Sequence, residues 1–240
     1  MMQERRQRSA YLHELNLQNH VSHKLQFVHE KDPSQHLESI HNFYDPPQHK
    51  DTTKNWYDHT KPWITHVSVQ SDNVFLIPKW IEEYQKPVVD DECRYEGNLE
   101  FGWGDNSAQG MMDNFWRVIL RGGGCTHGCK FYGKSQKKIN FLYDLLHDNG
   151  FDWVKPQATS GPTWELAVGS TPDEKKWLVY FGDNQPEFEL FSFLPKGKKY
   201  SAKLINAWNE TIEDFDGEIT NDQKFHLPRK PYQAMLLTEE

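Results

Sequence analysis

Helical apolar stripes alternate with short β-branched runs over residues 15–150, and this alternation constrains the fold more than any other feature of the chain. Leu17, Val21, Leu25 and Val28 recur at helical spacing as far as Asp32-Pro33, where proline stops the helix. Leu37–Asn42 reads as a short strand, and Phe43–Pro62, with Asp45-Pro46-Pro47, mainly as loop. Trp63–Val69 reads as the next strand, followed by a helical stripe of Val74, Ile77, Trp80, Ile81 and Tyr84. Pro87–Cys93 is a short apolar strand that ends in acids. Ser107 suits the N-cap of a helix bearing Met111, Phe115 and Ile119, and Gly122-Gly123-Gly124 ends that helix. Cys125–His127 is a minimal strand, and Ser135 reads as the cap of a helix carrying Ile139, Leu142, Leu145 and Leu146. Strands separated by helices imply a parallel sheet with helices packed on it.

The pattern changes after Gly150. Trp164–Val168, Lys176–Phe181, Phe188–Phe191, Tyr200–Trp208, Phe225–Leu227 and Tyr232–Leu237 are strand candidates separated by turn signals such as Gly182-Asp183-Asn184 and Pro195-Lys196-Gly197. Short strands at this spacing predict an antiparallel β-sandwich. The two patterns divide the chain into domains at 1–155 and 156–240, and the second is long enough to be expected to fold alone.

Composition narrows the function classes. Aromatics make up 14% of the 240 residues, with nine Trp, so a core can be built despite a charged fraction of 26%. Trp63, Trp80, Trp116 and Trp208 lie on apolar stripes and read as core. A net charge of −8 disfavours nucleic acid and anionic membrane as partners. No apolar run reaches the roughly 20 residues of a membrane span. The basic start, Met1–Arg8, is followed by polar sequence instead of an apolar signal segment, and the three cysteines suit a reducing compartment. The expected location is cytoplasmic, although a preceding part could carry a signal.

The sharpest local feature is Lys86-Pro-Val-Val-Asp-Asp-Glu92-Cys-Arg-Tyr95-Glu96-Gly97, a buried strand ending in carboxylates before the glycine-flanked Trp103. Strand ends of parallel α/β folds carry active sites, carboxylates there act as nucleophile or general acid/base, and aromatic faces stack on sugar rings. Acids at a strand end also serve simply to cap a turn. Asp90 and Glu92 stand two apart, so unbroken strand alternation would place them on one face with Asp90 one layer deeper, either as a carboxylate pair with a raised pKa or, if a bulge shifts the alternation or the missing strands leave the face wet, as unrelated acids. Cys125-Thr-His127-Gly-Cys129 has no second Cys/His pair to complete a tetrahedral zinc site, so no metal is expected. Cys93 with His66 or His127 imitates a thiol nucleophile and base without any supporting signature.

With Trp103-Gly-Asp-Asn-Ser, Phe115-Trp116, Arg121-Gly-Gly and Thr126-His127-Gly128 in the same order, the chain resembles the apiosidase-like glycoside hydrolases. His29-Glu-Lys-Asp-Pro, Ser39-Ile-His-Asn and Pro62-Trp-Ile-Thr-His-Val-Ser-Val-Gln70 extend the resemblance upstream, and Tyr180-Phe-Gly, Ala207-Trp-Asn209 and Leu227-Pro-Arg-Lys-Pro-Tyr232 extend it downstream. The resemblance implies the C-terminal half of a TIM (β/α) barrel followed by a β-sandwich domain. It further implies a retaining-type site for O-glycosidic bonds of plant or microbial polysaccharide, with Glu92 as nucleophile and no cofactor. Glu96, Tyr95, Trp103, His66, His41, Asn42 and His127 are the candidate sugar-contacting residues.

Two departures weaken the catalytic implication. Only the last four barrel strands are represented, so the strand that bears the general acid is lacking. After Gly128, Cys129-Lys-Phe-Tyr-Gly leads directly into a helix, where the family carries a Trp-rich acidic loop. The chain alone is therefore expected to be weak or inactive. Its uncovered barrel edge invites a homo-oligomer or association with the N-terminal half. A non-catalytic carbohydrate-binding or interaction protein remains the alternative.

Overall fold

The structure is a computed structural model that describes residues 21–42, 57–99, 102–128, 133–157 and 166–240. Leu17, the Asp45-Pro46-Pro47 loop, Cys129 and Trp164 lie outside the described residues. Residues 21–31 are helical (α1) and lead into four strands: β1 (His41–Asn42), β2 (Val67–Val69), β3 (Val88–Asp90) and β4 (Gly124–Cys125). These form one sheet in the order β1-β2-β3-β4, and every neighbouring pair is parallel. Helix α2 (Ile77–Tyr84) connects β2 to β3, α3 (Ala108–Leu120) connects β3 to β4, and α4 (Ser135–Asp148) follows β4.

The helix boundaries have local causes. Pro78 occupies the first turn of α2, where no N–H is needed, and Gln85 closes that helix in the left-handed region. Ser107 caps α3 by accepting from the Gly110 N–H at 3.0 Å. Gly122, at φ 82°, then turns the chain into β4 where a side chain would be strained. Among the described residues no helix is long and apolar enough to cross a membrane.

The C-terminal part is an antiparallel sheet in the order β10-β9-β12-β7-β6-β5. Its strands are β5 (Lys155–Pro156), β6 (Ala167–Ser170), β7 (Lys176–Tyr180), β9 (Tyr200–Asn206), β10 (Thr211–Ile219) and β12 (Gln233–Glu239). A two-stranded ribbon, β8 (Phe188–Glu189) with β11 (Phe225–His226), lies apart from it in pairing. Strand β7 shows how the sheet is covered. Trp177 and Val179 belong to a core with Phe191, Leu194, Phe225 and Leu227, whereas Leu178 and Tyr180 belong to the core that contains α3. Both faces are buried, so the strand reads as an unbroken apolar run.

Helix α3 therefore serves two sheets. Nine of its 13 residues are buried. Met111, Phe115 and Leu120 share one core with Val67, Val69 and Val88 of the parallel sheet and with Leu178, Ile205 and Leu236 of the antiparallel one. The rings of Trp116 and Tyr180 stack at 4.9 Å across this junction. Beside them Asp113 accepts from Arg117 Nε at 2.7 Å and from the Tyr180 hydroxyl at 3.0 Å. Gly182 completes the fit, because a Cβ there would lie 1.9 Å from the Arg117 guanidinium. Arg121 donates to the Leu166 carbonyl at 3.2 Å, and burial with Arg117 nearby pushes it down to about 10, so it stays charged at neutral pH.

Trp116→Ala is expected to cost about 3–5 kcal/mol, the range for deleting a buried aromatic side chain. Because Trp116 is shared, the loss should fall on one common transition in chemical denaturation followed by circular dichroism and tryptophan fluorescence. Two separate transitions, with only one displaced by the substitution, would show that the sheets unfold independently.

Candidate functional site at the ends of the parallel strands

Parallel register brings His41 opposite Ser68, and Val69 opposite Asp90. The Asp91 N–H donates to the Val69 carbonyl at 2.8 Å, so the chain stays pinned one residue beyond β3. Side chains from three strand ends meet there. His41 Nδ1 lies 3.0 Å from Ser68 Oγ and 3.7 Å from Asp91 Oδ2, and its Nε2 lies 3.5 Å from Glu92 Oε1. The Ser68 hydroxyl donates to Asp91. The Glu92 side chain is 33% exposed, so it is held from one side and open from the other.

Asp90 is placed differently from the expectation. Val67, Val69 and Val88 lie in the core beneath α2 and α3, and Asp90 is fully buried on that same helix-facing side. Glu92 stands beyond the end of β3, where alternation no longer applies, and it turns to His41. The two carboxylates therefore do not share a face. Ser71 N–H donates to one Asp90 oxygen at 3.3 Å, and the other oxygen has no hydrogen-bond partner. Burial pushes its pKa up to about 8, with Asp91 and Asp72 adding to the rise and the Ser71 and Glu92 N–H groups opposing it.

The loop after Glu92 folds back on itself. Tyr95 N–H donates to the Trp103 carbonyl at 2.9 Å, and the Arg94 guanidinium joins Gly102 O at 2.8 Å to Asp105 at 3.0 Å. Trp103 is thus carried half-buried on a closed loop, with its backbone fixed. The Tyr95 hydroxyl donates to Asp91 O at 3.2 Å, and its ring packs so closely on Gly128 that a Cβ there would meet it at 2.5 Å.

Glu96 caps a helix. Its two oxygens accept from Lys134 N–H and Ser135 N–H at 2.9 Å each, at the start of α4. Burial alone would raise its pKa, but these bonds from Ser135 and Lys134, with His127 nearby, bring it below the ordinary glutamate value. Ser135 is therefore not the cap expected for α4; a carboxylate 39 residues earlier in sequence fills that position, a pairing no local pattern reveals. His127 is exposed, with Nε2 3.4 Å from Ser135 Oγ.

His66 is corrected outright. Strand β2 begins at Val67, so His66 sits at the N-terminal end of a parallel strand, away from Glu92, with Nδ1 3.1 Å from Thr65 Oγ1. The β2 residue that meets His41 and Asp91 is Ser68, which no local sequence signal singles out. Asn42 pairs with Val69 through β1. Cys93 is fully buried, so it is not presented to a sugar-sized substrate. Among the described residues no group of three or more His, Cys, Asp or Glu is arranged to hold a metal ion.

At the other end of the sheet, β3, β4 and α4 enclose an apolar cavity of about 480 Å³ lined by Val88, Val89, Ile119, Tyr143, Leu146 and Trp153, among others.

Residues 164–238 match the family model described as a domain of unknown function (DUF5605). No curated protein sequence matches the chain. A crystal structure of a candidate glycoside hydrolase from Bacteroides vulgatus ATCC 8482 superposes with a TM-score of 0.73 at 23% identity, covering 90% of this chain and 47% of that one. A glycoside hydrolase family 5 structure from the same organism gives 0.61 at 14% identity, covering 89% of this chain and 57% of that one. The fold is glycoside hydrolase-like, and the chain spans about half the length of these structures.

Asp90 generates a pH test. Its folded pKa is raised, so the folded state keeps a proton that the unfolded chain releases near 3.8. Stability is full below that value, is lost progressively up to about pH 8 by roughly 1 kcal/mol per pH unit, and levels off above it. His59, buried and pushed down to about 4, first by desolvation and then by Lys86, contributes an opposing slope between pH 4 and 6.5. The difference between wild type and Asp90→Asn isolates the Asp90 part. The variant should gain stability as pH rises toward 8, measured by urea denaturation across that range; a constant difference would refute the buried acid.

Proposed function

We propose that the chain is the C-terminal half of a (β/α) barrel glycoside hydrolase of the apiosidase-like kind, followed by an antiparallel sandwich, with Glu92 in the place of a retaining nucleophile. The observation that carries this reading is Glu92 itself. It stands just beyond the third of four sequentially ordered parallel strands, partly exposed, with an imidazole at 3.5 Å. That is the end of the sheet at which barrel enzymes keep their chemistry. Trp103 and Tyr95, carried on the same loop, supply the aromatic surface a sugar ring would stack on. The substrate class is a plant or microbial polysaccharide.

A retaining mechanism needs a second carboxyl group about 5–5.5 Å from the nucleophile to protonate the leaving oxygen. Asp91 already accepts the Ser68 hydroxyl, and Glu96 accepts two backbone N–H groups, so neither is free for that task. The acid would come from the first four strands of a barrel, docked on both outer strands of the parallel sheet, β1 and β4. The share of the relative's length covered here, 47%, leaves room for such a half. The same engagement of Asp91 and Glu96 favours, as a second reading, a carbohydrate-binding protein without catalysis.

Leaving groups that need no proton separate the two. Slow turnover of 2,4-dinitrophenyl glycosides by the purified chain, abolished in Glu92→Gln, would support the nucleophile. Unactivated glycosides should react at least about 100-fold more slowly, the lower bound of what a general acid supplies. Binding of glycans without turnover of either substrate would leave the binding reading, and equal rates on both would show that the acid lies within this chain.

A further inference from the structure

We propose that Cys93 and Cys125 form a cross-linking site, a latent disulfide that fastens the segment following Glu92 to the edge strand β4. Their sulfurs lie 3.4 Å apart, with the Cys125 S–H donating to Cys93. Both thiols are free and buried. The backbone around them is already fixed on both sides of the gap. Cys125 pairs in register with Asp90, Thr126 N–H donates to Asp90 O at 3.2 Å, and the Thr126 hydroxyl donates to Asp91 O at 2.6 Å. Closing the remaining distance to a bond of about 2.05 Å takes side-chain rotation of little more than 1 Å.

The chemistry requires an oxidant small enough to enter a buried site, and hydrogen peroxide meets that need. One sulfur, as thiolate, attacks the peroxide; its S–O bond forms, the O–O bond breaks, and the departing hydroxide leaves as water after taking up the proton the thiol gave up. The second sulfur then attacks this sulfenic acid, forming the S–S bond and releasing a second water. Two thiol hydrogens are lost and one peroxide is reduced to two waters. Burial, Cys93 and Asp90 all push the Cys125 thiol well above the ordinary cysteine range, so the site should respond to sustained oxidant and not to brief exposure.

The consequence concerns position. The disulfide would close a loop that runs through the Trp103 segment and all of α3, removing freedom from the unfolded chain and fixing the peptide next to Glu92. The test uses the full-length chain, treated with hydrogen peroxide and then with a thiol-alkylating reagent. Intact mass before alkylation should fall by about 2 Da, peptide mapping after alkylation should join Cys93 to Cys125, and the melting temperature should rise by roughly 5–10 °C until reductant is added. Cys93→Ser and Cys125→Ser should each abolish all three changes. Two alkylated thiols at these positions after prolonged oxidation, or a bond from either of them to Cys129 in place of the expected one, would overturn the proposal. None of these readouts depends on hydrolysis, so the outcome is independent of the function proposed above.

Discussion

Burial of α3 on two sides is the constraint on which the remaining structure depends. A helix between parallel strands ordinarily shows one apolar stripe to its sheet and a polar face to water. Here Trp116 and Tyr180 stack where that polar face would be, and the charged residues that remain, Arg117 and Asp113, are consumed by each other and by the Tyr180 hydroxyl. Unpaired, the buried guanidinium would be costly; paired and hydrogen-bonded, it fixes the angle at which the antiparallel sheet meets the helix. The antiparallel layer thereby holds α3, and α3 holds β3 and β4.

That support gives the strand end its character. Asp90, Asp91 and Glu92 are consecutive acids with three environments. The first is turned into the core and desolvated, the second is tied to the Ser68 hydroxyl, and the third is partly open to water. Asp91 and Glu92 are about equally exposed, at 32% and 33%, but Asp91 accepts the Ser68 hydroxyl, whereas Glu92 faces His41 Nε2 at 3.5 Å. His41 reaches Glu92 from β1, across the intervening β2, and lies 3.0 Å from Ser68 of that strand. The loop beyond is fixed in turn by Glu96, whose carboxylate supplies α4 with the acceptors its first N–H groups lack.

Much of this arrangement was legible in the sequence wherever the signal was local. The stripes of α2 and α3, the Ser107 cap, the glycine stop and the acidic end of β3 all stand where spacing and composition put them. The misses share a cause. Strand β10 went unseen because it is an exposed edge with acids at Glu213, Asp214, Asp216 and Glu218 in place of an apolar alternation. The cap of α4 lies far away in sequence, so Ser135 looked like the better choice. Alternation puts Asp90 and Glu92 on one face only if it is extended two residues past Asp90, the last residue of the strand. His66 was assigned to the wrong end because Trp63–Ile64 resembles a strand although pairing begins only at Val67.

The sheet edges carry the last step. The edge strand β10 is long but well guarded, with Lys203 bonded to Asp214 and Lys199 to Glu218, charges that discourage a further strand from adding. The edge strand β4 is the reverse: Gly124 and Cys125 carry no charge, and the cavity beside them is apolar, with Tyr143 and Trp153 largely exposed at its rim. A chain selected to end its parallel sheet at β4 would be expected to protect that edge as it protects β10. An uncharged outer strand beside an apolar cavity suits the docking of a further polypeptide segment, in keeping with the proposed first half of a barrel. On the proposed reading a first half would close on both outer strands of the parallel sheet, β1 and β4, and would bring with it the side of the site that faces Glu92.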